Sequence, residues 1–367
     1  MESIIIYGGS FDPIHNGHLR IAHAASMMLN ANVVFVPSKA PRWKSPEASA
    51  ADRLEMLRLA LKKDGSPAFS IDLFEMNSKT DVNYSIDLVR HIALTHKNTK
   101  IYLMIGADEV NSFPKWKDPD KICQLATPLY VSRPDIQIDD AVLAAYPMQR
   151  LPYDGSGDVS SSAVRSLRCI DIPLVVRDYI ESKSLYYIKR LATMMSPHRL
   201  LHSISVANLS YLIAQHNMVE NYPAAYIAGL LHDCGKDLDV ETTQKIMQER
   251  FPEYASMPVW TYHQFTGVFL AETIFGVKDP NILDAIKYHS TGKAHLSPLG
   301  KIIYSVDKIE PTRGFDSKKL IQACFKHYYV GFMNVLEANQ EYLASKGYVL
   351  DNPLTKECFN QYLGRID

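Results

Sequence analysis

Two kinds of hydrophobic spacing divide this chain. In the first half, short apolar and β-branched runs alternate with stretches whose apolar residues recur every three or four positions. The runs at 3–7, 32–36, 68–73, 100–105 and 127–132 predict strands, and 19–29, 51–62 and 84–96 predict amphipathic helices between them. Strand–helix alternation of this kind predicts a doubly wound parallel sheet with helices on both faces. Two short helices, at 160–167 and 173–182, close this region. From about Ile188 the strand pattern fades, and 202–216, 224–232, 242–249, 266–275 and 282–288 all carry helical spacing. The fold expected is therefore α/β followed by all-α, with domains at 1–187 and 188–367, little linker between them, and no internal repeat. Tyr328, Tyr329, Phe332 and Leu336 in the tail have the spacing of helix core positions.

Bulk properties exclude several classes. A length of 367 residues suits two domains, and the net charge is −1. Residues 1–187 hold 21 Lys+Arg against 22 Asp+Glu and the remainder 18 against 18, so neither half carries the basic excess of a nucleic-acid binder. No apolar run is long enough to span a bilayer, and the chain opens on a strand without a basic and apolar leader, so neither a membrane anchor nor a signal peptide is expected. Five scattered cysteines (Cys123, Cys169, Cys234, Cys324, Cys358) suit the reduced thiols of a cytoplasmic protein. Self-association into a homo-oligomer stays open.

The densest chemistry follows the first apolar run. Gly8, Gly9, Ser10 and Phe11 lead through Asp12 and Pro13 to His15, Asn16, Gly17 and His18, immediately before a helix. Glycines let the backbone approach a ligand, a helix N-terminus attracts anions, and two imidazoles three residues apart can face one phosphate. Gly106 and Asp108 follow a second strand. A run of hydroxyls, Ser160, Ser161 and Ser162, precedes Arg165. Each of these also has a plain structural reading: the serines as a helix cap, Asp108 as a turn residue, Trp116 as packing, and Lys44 and Arg133 as solvated surface.

Taken together, this region resembles the nucleotidylyltransferase superfamily, and within it the bacterial nicotinate-nucleotide adenylyltransferases. The resemblance is carried by the His15-Asn16-Gly17-His18 motif and, in the family's order, by the segments 37–44, 83–87 and 105–108, by Trp116, and by the segments 132–134 and 159–165. It implies adenylyl transfer from ATP, with its Mg²⁺, to nicotinate mononucleotide. His15 and His18 would serve the α-phosphate. Ser160, Ser161, Ser162 and Arg165 would serve the β- and γ-phosphates, and Gly8, Gly9, Ser10, Phe11, Gly106 and Asp108 the rest of ATP. Lys44, Tyr84, Ser85, Trp116 and Arg133 would serve the mononucleotide. Ser10 replaces the family's usual threonine, and Arg42 and Trp43 depart from its usual loop. Another adenylyltransferase of the same fold, acting on nicotinamide mononucleotide or pantetheine phosphate, is the alternative.

In the second half, His202, the doublet His232-Asp233 with Lys236 after it, His263, His289 and Asp307 resemble an HD-type metal phosphohydrolase. The resemblance implies one divalent metal on His202, His232, Asp233 and Asp307, a second on Asp233, His263 and His289, and a catalytic Lys236. Iron or manganese suits such ligands. Arg199 and the run at 305–311 resemble a bacterial subfamily that cleaves diadenosine tetraphosphate to two ADP. A nucleotidase or a non-catalytic metal or nucleotide sensor is the alternative.

Overall fold

The computed structural model describes residues 2–40, 45–78, 84–132, 136–153, 159–347 and 352–364. The chain divides into two compact units, one of 1–165 with 171–186 and one of 166–170 with 187–367.

The first unit is a six-stranded sheet built from β1 (Ser3–Gly9), β2 (Asn32–Pro37), β3 (Phe69–Ile71), β4 (Lys100–Gly106), β5 (Thr127–Val131) and β6 (Gln149–Leu151). The order is β3-β2-β1-β4-β5-β6 and every pairing is parallel. The central strands are buried on both faces: Ile4, Ile5, Ile6, Val33, Val34, Phe35 and Val36 are all in the core. Such strands read as continuous apolar runs, which is why they stand out in the sequence. One face, through Ile4, Ile6, Val34, Val36, Leu103 and Ile105, packs with Ile86, Val89 and Ile92 of the helix Ser85–Thr95. The chain lays strands to one side of β1 and then returns to place β4 on the other. The carboxyl ends of β1 and β4 therefore flank a topological switch point, where ligands bind in such sheets. The expected doubly wound parallel sheet followed by a helical domain is thus borne out.

The second unit is helical. Proline occupies the first helical position of Pro197–His216, Pro223–Leu231, Pro280–Lys287, Pro298–Ile309 and Pro353–Leu363, where its missing N–H costs nothing. Ser196, Asp279, Ser297 and Asn352 cap four of these with side-chain oxygens. The expected packing role of the tail holds for Phe332 and Leu336 but not for Tyr329, and Tyr328 is only half-buried. Phe332 and Leu336 join Tyr288, Leu296, Tyr304, Cys358 and Phe359 in one buried cluster, whereas Tyr329 is exposed. Among the described residues no helix is long and apolar enough to cross a membrane, and none of the five cysteines forms a disulfide.

Candidate functional sites

In the first unit the turn after β1 is held rigidly from below. Asp12, buried, accepts from the backbone N–H groups of Glu47 (2.9 Å) and Ala48 (3.1 Å) and from the Tyr186 hydroxyl (2.8 Å). Burial, and then the Asp12 carboxylate beside it, raise the Tyr186 phenol well above its ordinary range, so the hydroxyl stays a donor. Arg53 is 1% exposed and donates to three carbonyls, those of Ser10 (2.6 Å), Ser38 (2.7 Å) and Lys39 (2.9 Å). One guanidinium thereby ties the turn after β1 to the turn after β2. Neither Arg53 nor Asp12 carries a sequence signal for this: a buried arginine is recognisable only once its carbonyl partners are in place.

His15 and His18 begin the helix Asn16–Leu29. His15 is its N-cap: its Nδ1 accepts from the His18 N–H (3.3 Å), and the His18 Nδ1 accepts from the His15 N–H (3.2 Å). The rings stack with centroids 3.6 Å apart. A reciprocal capping box is thus a structural task that the two histidines perform. It also has a chemical consequence. With both Nδ1 atoms accepting, each neutral ring carries its proton on Nε2, and two N–H donors stand at the positive end of a helix dipole.

The serine run meets the same turn. Ser160 caps the short helix Ser161–Arg165, its Oγ accepting from the Ala163 N–H (3.1 Å), so the structural reading of that residue holds. Ser161 Oγ donates to the Pro13 carbonyl (2.9 Å), and Arg165 donates to the Asp12 carbonyl (2.6 Å) and to Glu47 (2.7 Å). The fold thus brings 160–165 against 12–18 across the sequence. Gly106 ends β4 and Asp108 lies exposed in the short helix Ala107–Val110 that follows, rather than in a turn. Tyr84 and Ser85 open the helix Ser85–Thr95, with Lys117 Nζ 4.2 Å from the centre of the Tyr84 ring. Trp116 is half-buried against Phe113 and the core. Lys44 and Arg133 lie outside the described residues.

The second unit gathers its histidines and aspartates. His202 sits inside the helix Pro197–His216, His232 and Asp233 at the end of Pro223–Leu231, and His263 at the start of Tyr262–Thr273. His289 lies just past Pro280–Lys287, and Asp307 inside Pro298–Ile309. Two glycines permit the approach. A Cβ on Gly229 would lie 2.8 Å from the Ala207 Cα, and one on Gly235 would lie 2.4 Å from Thr266 Oγ1 and 2.6 Å from the Gly267 nitrogen. All six candidate ligands are buried. His202, His232 and Asp233 form one group able to hold a metal ion, and Asp233, His263 and His289 a second, so Asp233 is common to both. Asp307 Oδ1 lies 3.2 Å from His202 Nε2 and 3.5 Å from His232 Nε2.

Protonation fits this donor set to a cation. Burial pushes His263 down to about 3 and lowers His289, leaving imidazoles that are neutral. Burial opposes ionisation of Asp233 and Asp307, but their histidine and lysine neighbours outweigh it and hold both carboxylates far below the ordinary range. Burial also opposes the charged form of His202, yet its hydrogen bonds to Asp307 and Glu310 raise it to about 9, so without a metal this ring holds a proton that a bound cation would displace. Neutral imidazoles and ionised carboxylates in a buried cluster are a divalent-metal donor set. Lys236 Nζ and Arg199 Nη1 each lie 3.3 Å from Asp233. Glu310 and Arg313, to which the sequence assigned no role, also reach the cluster, through His202 and Asp307 respectively.

A cytidylyltransferase-like family model matches residues 6–167, and an HD domain model matches 199–312. A Mycoplasma genitalium protein named "Probable nicotinate-nucleotide adenylyltransferase/Ap4A hydrolase" is 32% identical over 315 residues, covering 85% of this chain and 88% of its own. The chain belongs to this two-domain family. A Mycoplasma pneumoniae member of the same name is 27% identical over 343 residues, covering 91% of this chain and 98% of its own. A relative from Geobacillus kaustophilus, named "Probable nicotinate-nucleotide adenylyltransferase", is 34% identical over 196 residues, covering 51% of this chain and 87% of its own. Both resemblances read from the sequence are therefore borne out at the level of family.

Proposed function

We propose that the first unit transfers an adenylyl group from ATP to nicotinate mononucleotide, and that the second hydrolyses diadenosine tetraphosphate to two ADP. The observation that carries the first reading is the meeting of His15, His18, Ser161 and Arg165 on one turn at the sheet's switch point. In the reaction a phosphate oxygen of the mononucleotide bonds to the α-phosphorus of ATP. The bond from that phosphorus to the bridging oxygen breaks, and pyrophosphate leaves with the electron pair. Such a step needs positioning and positive electrostatics more than covalent help. The Nε2–H groups of His15 and His18 supply donors to the α-phosphate oxygens. Ser160, Ser162 and Arg165 supply hydroxyls and a guanidinium to the leaving phosphates, with Mg²⁺ carried by ATP itself. Tyr84, Ser85, Trp116, Lys44 and Arg133 are assigned to the mononucleotide, and Asp108 to polar contacts with ATP.

In the second unit, His202, His232, Asp233 and Asp307 would hold one divalent metal and Asp233, His263 and His289 another, with iron or manganese suited to the donors. A bound pair would acidify a water and neutralise a phosphoanhydride oxygen. Lys236 and Arg199, already beside Asp233, supply cations to the polyphosphate chain. Water adds to one inner phosphorus, and the central bridging oxygen leaves with the other ADP.

Acceptor competition tests the first assignment. Purified protein should give a higher kcat/KM with nicotinate mononucleotide than with nicotinamide mononucleotide. Equal values would remove the acceptor assignment, and no pyrophosphate release with either would remove adenylyl transfer.

A further inference from the structure

The turn after the helix Pro298–Ile309 reaches the metal-binding cluster without supplying a ligand to it. The Glu310 side chain is fully buried at 0% exposure. It accepts from His202 Nδ1 at 2.8 Å, from the Thr312 N–H at 2.8 Å and from the Thr312 hydroxyl at 2.6 Å. Three residues later, Arg313 donates from Nη2 to Asp307 Oδ1 at 2.6 Å and from Nε to the Asp307 carbonyl at 2.8 Å. One short turn therefore grips two of the candidate ligands, and both belong to the same metal position.

The other histidines are held differently. His232, His263 and His289 each place Nδ1 against the carbonyl of the residue three positions earlier: Gly229 at 2.7 Å, Trp260 at 2.8 Å and Ile286 at 2.8 Å. Their orientation comes with the local backbone. His202 instead depends on a carboxylate from a distant part of the chain. A carboxylate on the far nitrogen fixes the tautomer, aims Nε2 at the cluster and makes it a stronger donor than a carbonyl partner does. Burying a carboxylate is costly unless its partners use its charge, and here each Glu310 oxygen is engaged.

We propose that Glu310 is a positioning residue that makes the metal position of His202, His232, Asp233 and Asp307 the tighter of the two. The proposal rests on the two-metal reading of this site. The second position has only the shared Asp233 carboxylate and two histidines oriented by backbone carbonyls.

Titration of the full-length, metal-stripped protein with Mn²⁺ alone, followed by electron paramagnetic resonance of the free ion, tests it. Wild type should bind two ions in two affinity classes. Glu310→Ala should weaken the tight class by about 10- to 100-fold and leave the weak class within about twofold. Glu310→Gln keeps an oxygen acceptor for His202 without the charge, so its loss should be intermediate; as a near-isosteric variant it also reports if the alanine protein fails to fold. Unchanged tight binding in both variants would overturn the proposal, as would equal weakening of both classes in a folded variant. Wild type that binds no Mn²⁺ would overturn the metal reading and this proposal with it, whereas two classes that ignore Glu310 would leave the metal reading standing.

Discussion

His18 has two jobs that one substitution can separate. Its Nδ1 closes the capping box, while its Nε2 is assigned to the α-phosphate. His18→Ala should lower kcat by about 100-fold or more, as loss of one preorganised donor does. It should also cost roughly 1 kcal/mol of stability through the lost cap. His18→Gln retains an acceptor suited to that position of the box, so it should recover the stability and not the kcat. Recovery of both would confine His18 to a structural role. Glu75 offers a different test at this scale. Burial raises its carboxyl to about 7, above the ordinary 4.5. The folded state then holds a proton that the unfolded state has released, so the contribution of this group to stability falls as pH rises from about 4.5 to 7. Glu75→Gln removes that dependence. In denaturant unfolding of the first unit the variant should match wild type at pH 4 and exceed it at pH 8, by up to about 3 kcal/mol. Parallel pH profiles would show that the carboxyl is not desolvated in the folded protein.

At the scale of elements, the close passage of the turn around Gly235 against the helix Tyr262–Thr273 sets how far Asp233 sits from His263. Gly235→Ala places a methyl group into Thr266 and the Gly267 backbone. The expected cost is about 1–3 kcal/mol, with bound metal per chain falling well below wild type. Normal metal content in this variant would mean that the turn shifts without disturbing the ligands. Elements also show what the sequence could and could not reveal. β1, β2, β4 and β5 were legible because strands buried on both faces are unbroken apolar runs. β6 was not, since Gln149, Arg150 and Leu151 contain one buried apolar residue and no pattern. The helix Pro298–Ile309 was legible only as the motif around Asp307. Its polar stripe of Lys301, Ser305 and Lys308 has helical spacing, but Lys301 and Ser305 are buried with the apolar residues, so that stripe is not a solvent face. His15 and His18 were legible because their spacing is local, and the dispersed His202, His232, His263 and His289 because, with the His232-Asp233 doublet, they resemble the HD pattern. Arg53, Glu310 and Arg313 were not assigned, because each acts through a partner that only folding brings near.

At the scale of the whole molecule, every candidate residue of adenylyl transfer lies at or before Arg165, and every candidate metal ligand at or after His202. The two chemistries should therefore be separable by single substitutions. Asp233 is the most informative residue, because it alone is common to both metal-binding groups and both Lys236 and Arg199 lie beside it. Removing it leaves those cations and the neighbouring histidines without their shared carboxylate, so the cluster loses both charge balance and ligand geometry. The most direct test of the two-site account measures bound metal, diadenosine tetraphosphate hydrolysis and nicotinate mononucleotide adenylylation on one preparation of Asp233→Ala. The account predicts metal content reduced to half or less, hydrolysis abolished and adenylylation within about twofold of wild type. Hydrolysis that persists after the metal is lost, or adenylylation that disappears along with hydrolysis in a folded protein, would contradict it.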